Sequence, residues 1–404
     1  MTTKTILLTL IATFLMLWSC DAKSAGTAKN TNADLSTLSI STGTLAPAFS
    51  AGMTKYSLTV PAKVTSLTIT ATTAAPNAKV SITPLQPIAL AEGINQVTVT
   101  VTAESGVQKV YSVAVTRQAT LDYKSTNIGT LIHVPAGTFQ RDATATNLST
   151  VSAFRMSKHE ITRAQWTAVT GWAGLGENSR SSGTSDPVQN LSWYAAIAFC
   201  NKLSLLEGLT PVYAVSGVDF STLTYAQIPT GEDWYWDESE SQTPSKIAAT
   251  WNAVTANWSA DGYRLPTEME WMWAAMGADT ANPGAVNTSG YARAFAGSTG
   301  SNAIGDYAWY TANSTDKTHP AGTKLPNELG LYDLSGNVFE WVWDLNGDYP
   351  AGTVKDYRGA TSGFTRLYHG EDFCSDIKNV TVSHRYSDFP YLRNDSSGFR
   401  VVRN

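Results

Sequence analysis

The sequence predicts a multidomain protein: an all-β sandwich, then a larger α+β domain, both behind a short leader. Three observations predict it. Apolar and small polar residues alternate from Asp34 to about Gln118, and helix-start signals appear only further on. Of the 13 tryptophans, none lies between Trp18 and Trp166, and twelve fall from Trp166 to Trp343. At 404 residues the chain has room for two or three domains. Hydrophobic residues make up 43% and charged residues 15%, a globular composition. The net charge of −5, with no basic block, excludes nucleic acid as a partner and gives no pull toward an anionic bilayer. Three cysteines form neither a disulfide framework nor a cysteine-only zinc site.

Residues 1–20, MTTKTILLTLIATFLMLWSC, place one lysine before a short apolar run that ends in small residues. This is a secretory signal, too short for a comfortable membrane span. Its end, Leu17-Trp18-Ser19-Cys20, resembles the lipobox of bacterial lipoproteins. That resemblance implies cleavage before Cys20 and its lipidation; ordinary cleavage with Cys20 left free is the other reading. Residues 21–33 are small and polar, as a flexible tether is. The expectation is a protein held to a membrane by a lipid anchor, at the outer membrane or cell surface, with its folded part in water.

Residues 34–118 supply the sandwich. YSLTV, SLTITA, KVSIT, NQVTVTVTA and VYSVAVT have period two, and turn residues such as Glu92-Gly93 and Ser105-Gly106 separate them. Short β-branched strands at this spacing predict antiparallel pairing. The segment resembles the cadherin-like β-sandwich of bacterial surface proteins. It holds no histidine and only scattered acids, so it reads as a spacer.

Residues 119–404 change pattern. A strand over Leu131–Val134 leads to Gly137. Thr162 with Gln165 forms a capping-box signature, because hydroxyl and amide can each satisfy a free backbone N–H at a helix start. A second helix is predicted from Ser192, with Trp193, Ile197 and Cys200 on one face. A third follows Thr267, with Glu270 closing the box and Pro266 fixing the approach.

VPAGTF, KHEITRAQW, PVQNLSWYAAIAFCNKLS, GYRLPTEMEW, GLYDLSGNVFEW and the final GFRVV stand in the order seen in the formylglycine-generating-enzyme (sulfatase-modifying factor) superfamily. The resemblance covers about 131–404 and implies a C-type-lectin-like fold; function must come from the site. The copper oxidases of that superfamily use two neighbouring thiolates near the C-terminus, as a soft copper(I) site requires. Here that region has Cys374 alone, and Cys200 lies on an apolar helix face. The iron-dependent relatives use a histidine cluster, whereas His133, His159, His319, His369 and His384 are scattered. The reading is therefore a non-enzyme, with a metal-dependent oxidoreductase as the alternative.

The tail, about 366–400, keeps a frame that includes Val382, Ser383, Arg385, Pro390, Arg393, Gly398, Phe399 and Arg400. Between frame positions stand Tyr368, Asp372, Cys374, Ser375, Asp376, Asn379, His384, Tyr386, Ser387, Asp388, Phe389, Tyr391, Leu392, Asn394, Asp395 and Ser396. This comb resembles the variable proteins of diversity-generating retroelements, treponemal variable lipoproteins among them. In those systems template adenines are randomised, so Asn codons become codons for residues of these kinds; Glu371 and Lys378 cannot arise that way. The resemblance implies a hypervariable ligand-binding face. Large rigid aromatics with adaptable Ser, Asn and Asp also suit such a face on physical grounds. The expected partners are varied macromolecules, proteins or host or microbial surfaces.

Asp333-Leu-Ser-Gly336-Asn-Val338-Phe-Glu340 resembles a calcium loop of the superfamily. Carried over, the ligands of a structural calcium ion would be Asp333, the carbonyls of Gly336 and Val338, and Glu340. A turn held by the two carboxylates is the alternative. No other cofactor is implied.

Overall fold

The computed structural model describes residues 28–404 apart from 63, 120, 173–179, 182, 231–233, 237–241, 245 and 377–381. The signal segment, Cys20, most of the tether and Asn379 lie outside the described residues. Two compact units meet in sequence between Thr120 and Leu121.

The first unit contains β1 (Leu35–Ile40), β2 (Lys55–Val60), β3 (Ile69–Thr73), β4 (Lys79–Thr83), β5 (Gly93–Thr102) and β6 (Gln108–Arg117). One sheet runs β2-β6-β5-β4, and β1 pairs with β3. Period two becomes burial: Val97, Val99 and Val101 of β5 and Tyr111, Val113 and Val115 of β6 point into the core. Intervening Thr98 and Thr100 face outward. The expectation of purely antiparallel pairing is corrected at one place, because Lys55–Val60 runs parallel to Ser112–Arg117. A parallel pair needs a long crossover, here the chain from 61 to 107, and alternation looks the same in either direction.

The second unit contains β7 (Gly129–Val134), β8 (Phe154–Ser157), α1 (Arg163–Thr170), α2 (Trp193–Leu206), α3 (Glu268–Ala275), β9 (Phe339–Leu345), β10 (Arg366–His369), β11 (Tyr386–Asp388), β12 (Ser397–Gly398) and β13 (Val402–Arg403). One sheet joins β13, β8, β7 and Tyr123–Ser125; another runs β11-β10-β9-β12. Both capping boxes form. The Thr162 hydroxyl accepts from Gln165 N at 3.2 Å while Thr162 N donates to the Gln165 amide oxygen at 2.9 Å. Thr267 and Glu270 repeat the exchange at 3.2 and 2.8 Å.

The second predicted helix forms where expected but is not one-faced: every residue from Trp193 to Asn201 is buried. Aromatic rings reach it from several sides. Phe199 stacks on Trp166 at 5.6 Å, Trp193 meets Trp343 at 5.5 Å and Tyr194 meets Trp251 at 5.7 Å. Only its C-terminal end, Leu205 and Leu206, is exposed.

Candidate functional site: the carboxyl-terminal face

The predicted variable segment is built on β10 and β11. They pair antiparallel with Tyr368 opposite Tyr386, and β10 also pairs with β9. Buried cations and acids hold the strands from beneath. Glu268, at the start of α3, accepts from Tyr349 Oη at 3.0 Å and from Arg385 Nη2 at 3.1 Å, with His369 Nε2 also 3.1 Å away. One carboxylate thus fixes the end of β10 and the residue before β11. Arg366, at the head of β10, lies 3.8 Å over the Trp193 ring and donates to the Trp343 carbonyl at 2.6 Å. Burial pushes its pKa down to about 10. Gly398 has no alternative, because a Cβ there would stand 2.6 Å from the Val188 carbonyl oxygen.

The expected binding residues divide by exposure. Cys374 and Asp376 are exposed; Ser375, His384, Tyr386, Ser387, Asp388, Phe389, Leu392, Asn394, Asp395 and Ser396 are half-buried. Tyr368, Asp372 and Tyr391 correct the expectation, for they are buried, at 9%, 7% and 6% exposure. Tyr368 is clasped between Trp341 at 5.1 Å and Tyr386 at 5.8 Å, and Tyr391 stacks under Phe389 at 5.4 Å. These three support the surface layer instead of presenting themselves.

Polar contacts link parts of the two runs to each other and to the layer beneath. His384 Nδ1 pairs with Glu371, and Ser375 Oγ bonds both Glu371 and Asp372, at 2.9 and 2.7 Å. In the second run the Ser396 hydroxyl lies 3.2 Å from Asn394 Oδ1. Burial holds Glu371 above the ordinary carboxylate range, against the pull of His384 and Ser375. On the other side, Arg180 Nε meets Asp395 at 3.1 Å, and its Nη1 donates to Asp316 at 2.6 Å and to Cys374 Sγ at 3.4 Å. The run 372–376 and the run 384–396 therefore adjoin, with the aromatic pair Tyr386–His384, 4.4 Å between centroids, beside them. Sequence reasoning missed Arg180 and Asp316, which lie far from the tail in sequence and match no motif. It named Glu371 only to exclude it from variation; the side chain is buried beneath the surface.

The model of the sulfatase-modifying factor enzyme 1-like domain matches residues 117–404. The chain belongs to that family. The first unit, residues 35–118, matches the cadherin-like β-sandwich domain. Treponema denticola variable protein 1 is 30% identical, with a TM-score of 0.58, over 70% of this chain and 99% of that one. The chaperone protein LppX of Paenibacillus barcinonensis is 32% identical over 63% of this chain and 81% of its own. The formylglycine-generating enzyme of Streptomyces coelicolor is 29% identical over 39% of this chain and 52% of its own. The fold is therefore the C-type-lectin-like one that the motifs implied, and it is one that carries both a variable protein and enzymes.

Among the described residues, Cys200 and Cys374 are both free thiols. Cys200 is fully buried in α2, where burial pushes its thiol pKa up. Cys374 is exposed, yet burial of its sulfur and the hydrogen bond to Asp316 push the thiol pKa up to about 12. No group of three or more His, Cys, Asp or Glu side chains among the described residues is arranged to hold a metal ion. Because the thiolate is the reactive form, alkylation of Cys374 by iodoacetamide at pH 8 is expected to run at least about tenfold slower than that of free cysteine. Asp316→Asn should accelerate it. Mass spectrometry of timed aliquots checks both.

In the Asp333–Glu340 loop, Asn337 and Gly336 take left-handed backbone, φ +66° and +82°. A Cβ on Gly336 would fall 2.1 Å from the Trp309 carbonyl oxygen. Glu340, expected as a calcium ligand, spends both oxygens elsewhere: on Arg400 Nε at 2.6 Å and Nη2 at 2.5 Å, and on Trp271 Nε1 at 2.7 Å. Asp333 accepts from Gly322 N at 2.6 Å, and its other oxygen is buried without a partner. The donor set thus offers one open carboxylate oxygen, at Asp333, and fits a calcium ion poorly while Arg400 holds Glu340. Burial raises the Asp333 pKa to about 6. A raised carboxyl favours folding while protonated and loses that advantage as pH climbs from the unfolded value toward 6. Asp333→Asn is therefore expected to stabilise the fold at pH 7 by about 1–3 kcal/mol, with the gain vanishing near pH 4. Urea titrations at the two pH values check it.

Proposed function

We propose that this protein is a lipid-anchored surface binder that presents a diversified carboxyl-terminal face to macromolecular ligands and does no chemistry on them. The observation that carries the reading is that two separate runs of the tail adjoin, linked through His384–Glu371 and through Arg180 between Cys374 and Asp395, over a buried, charge-locked frame. Half-buried Tyr386 and Phe389 supply rigid contact area, and Ser, Asn and Asp around them supply adaptable bonds. Likeness to the Treponema denticola variable protein supports the same reading. Against the oxidoreductase alternative stands the absence of a second thiol beside Cys374.

Retroelement diversification is part of the proposal, and DNA sequence tests it. A reverse-transcriptase gene and an adenine-rich near-copy of the tail are expected beside the gene, with mismatches at codons such as those of Tyr386, Phe389 and Asp395. Mismatches concentrated at Glu371, Arg385 or Arg400 would sink the idea. The anchor is tested separately: Cys20→Ala should move the protein from the membrane fraction to the soluble fraction of the cell envelope.

A further inference from the structure

Away from the carboxyl-terminal face, Ser152, Trp258, Arg264, Glu270, Asp356 and Arg358 line a cavity of about 280 Å³. Its charges are mostly spoken for. Buried Arg264 forks onto Glu270, Nη1 and Nη2 donating at 2.6 and 2.7 Å, and also reaches the Asn404 amide oxygen at 2.9 Å. Asp356 takes the N–H and hydroxyl of Ser152 at 2.7 and 2.8 Å, with its own backbone left-handed at φ +45°. Arg358 is the exception. Its guanidinium lies 4.2 Å over the Trp258 ring, and no carboxylate among the described residues pairs with it. The guanidinium rests against the indole, and no hydrogen bond of its N–H groups is formed among the described residues.

We infer that this cavity binds a carboxylate-bearing monosaccharide of the hexuronic acid kind, with Arg358 taking the carboxylate through its two parallel N–H groups. The volume lies just under the roughly 300–1,000 Å³ of drug-sized sites, which suits one sugar ring and not a chain. Each Asp356 oxygen and the Asn404 amide oxygen takes one bond within the wall and keeps a second lone pair, and the Ser152 hydroxyl, its proton given to Asp356, can still accept, so the wall can receive the hydroxyl donors of a sugar. Glu270 and Asp356 line the same cavity, so a doubly charged phosphate meets more repulsion than a singly charged carboxylate. None of these residues belongs to the proposed variable face, so the two proposals stand or fall separately.

Calorimetric titration of the intact protein with sodium glucuronate, glucose and inorganic phosphate tests the inference. Saturable one-to-one binding of glucuronate is expected, with phosphate weaker and glucose showing none. Arg358→Ala should weaken glucuronate binding by at least about tenfold, and Arg358→Lys should fall between, because it keeps the charge but not the fork. Arg358 is exposed, so the melting temperature should hold in both variants. The inference is overturned by no saturable glucuronate binding, by undiminished binding to Arg358→Ala, or by phosphate or glucose matching glucuronate.

Discussion

Replacing Arg400 by methionine is expected to destabilise the second unit by about 3–5 kcal/mol, the cost of stranding a buried charge. Arg400 is fully buried and donates to both oxygens of Glu340, and also to the carbonyls of Ser157, Tyr332 and Asp333 at 3.3, 2.8 and 3.2 Å. Glu160 and Asp333 add negative charge nearby, and burial together with these neighbours already raises the Glu160 pKa well above the ordinary range. Without the guanidinium, three buried carboxyl groups would face one another with no buried cation among them, only the partly exposed Lys324 beside Asp333. Measured against a typical domain stability of about 5–15 kcal/mol, the loss threatens the fold itself. A second substitution, Glu340→Gln, should recover part of it when combined with Arg400→Met. Full additivity in urea titrations would show that packing, not charge, sets the cost.

The second large effect separates the face from its support. Tyr391→Ala should destabilise the fold by about 3–5 kcal/mol, as truncation of a large buried ring does. Tyr386→Ala and Phe389→Ala remove half-buried rings and should cost only about 1 kcal/mol each. In binding the order reverses. For a partner obtained by selection against the wild-type surface, loss of either half-buried ring is expected to weaken affinity by roughly 30-fold, the effect of removing an anchor worth about 2 kcal/mol. Urea midpoints and surface plasmon resonance read the two quantities independently. Equal destabilisation by all three would place Tyr386 and Phe389 in the core.

Much of this architecture is legible in the chain because local chemistry dictates it. Thr162 with Gln165, and Thr267 with Glu270, name their helices before any contact is known, and the Val-Thr alternation of residues 97–102 fixes which face of β5 is buried. Direction is another matter: the parallel partner of β2 leaves no local mark, since alternation is blind to strand polarity. Helix α2 shows the opposite limit. Its run of Ala, Ile, Phe and Cys reads as one apolar face until rings more than 25 residues away close over the remaining sides.

The site divides in the same way. The comb of the tail marks the segment, and β10 and β11 bring it together, but inward and outward positions cannot be told apart in an irregular loop. Tyr391 and Phe389 sit two apart around Pro390, and only the packing buries one and half-exposes the other. The Glu268 junction joins α3, His369 and Arg385 across more than 100 residues, and the Arg180–Asp395 pair spans more than 200. Such charge pairs follow from the fold and carry no spacing of their own.

The central claim is that a fixed frame tolerates exchange of the side chains it presents and gains binding by it. A library randomised together at His384, Tyr386, Ser387, Asp388, Phe389, Leu392, Asn394 and Asp395, displayed and selected against several unrelated purified proteins, measures this directly. Folded members that bind different targets, and lose binding when their new aromatics are cut to alanine, are the expected result. Wholesale loss of the melting transition across the library, or binders whose affinity survives those alanine substitutions, would contradict it.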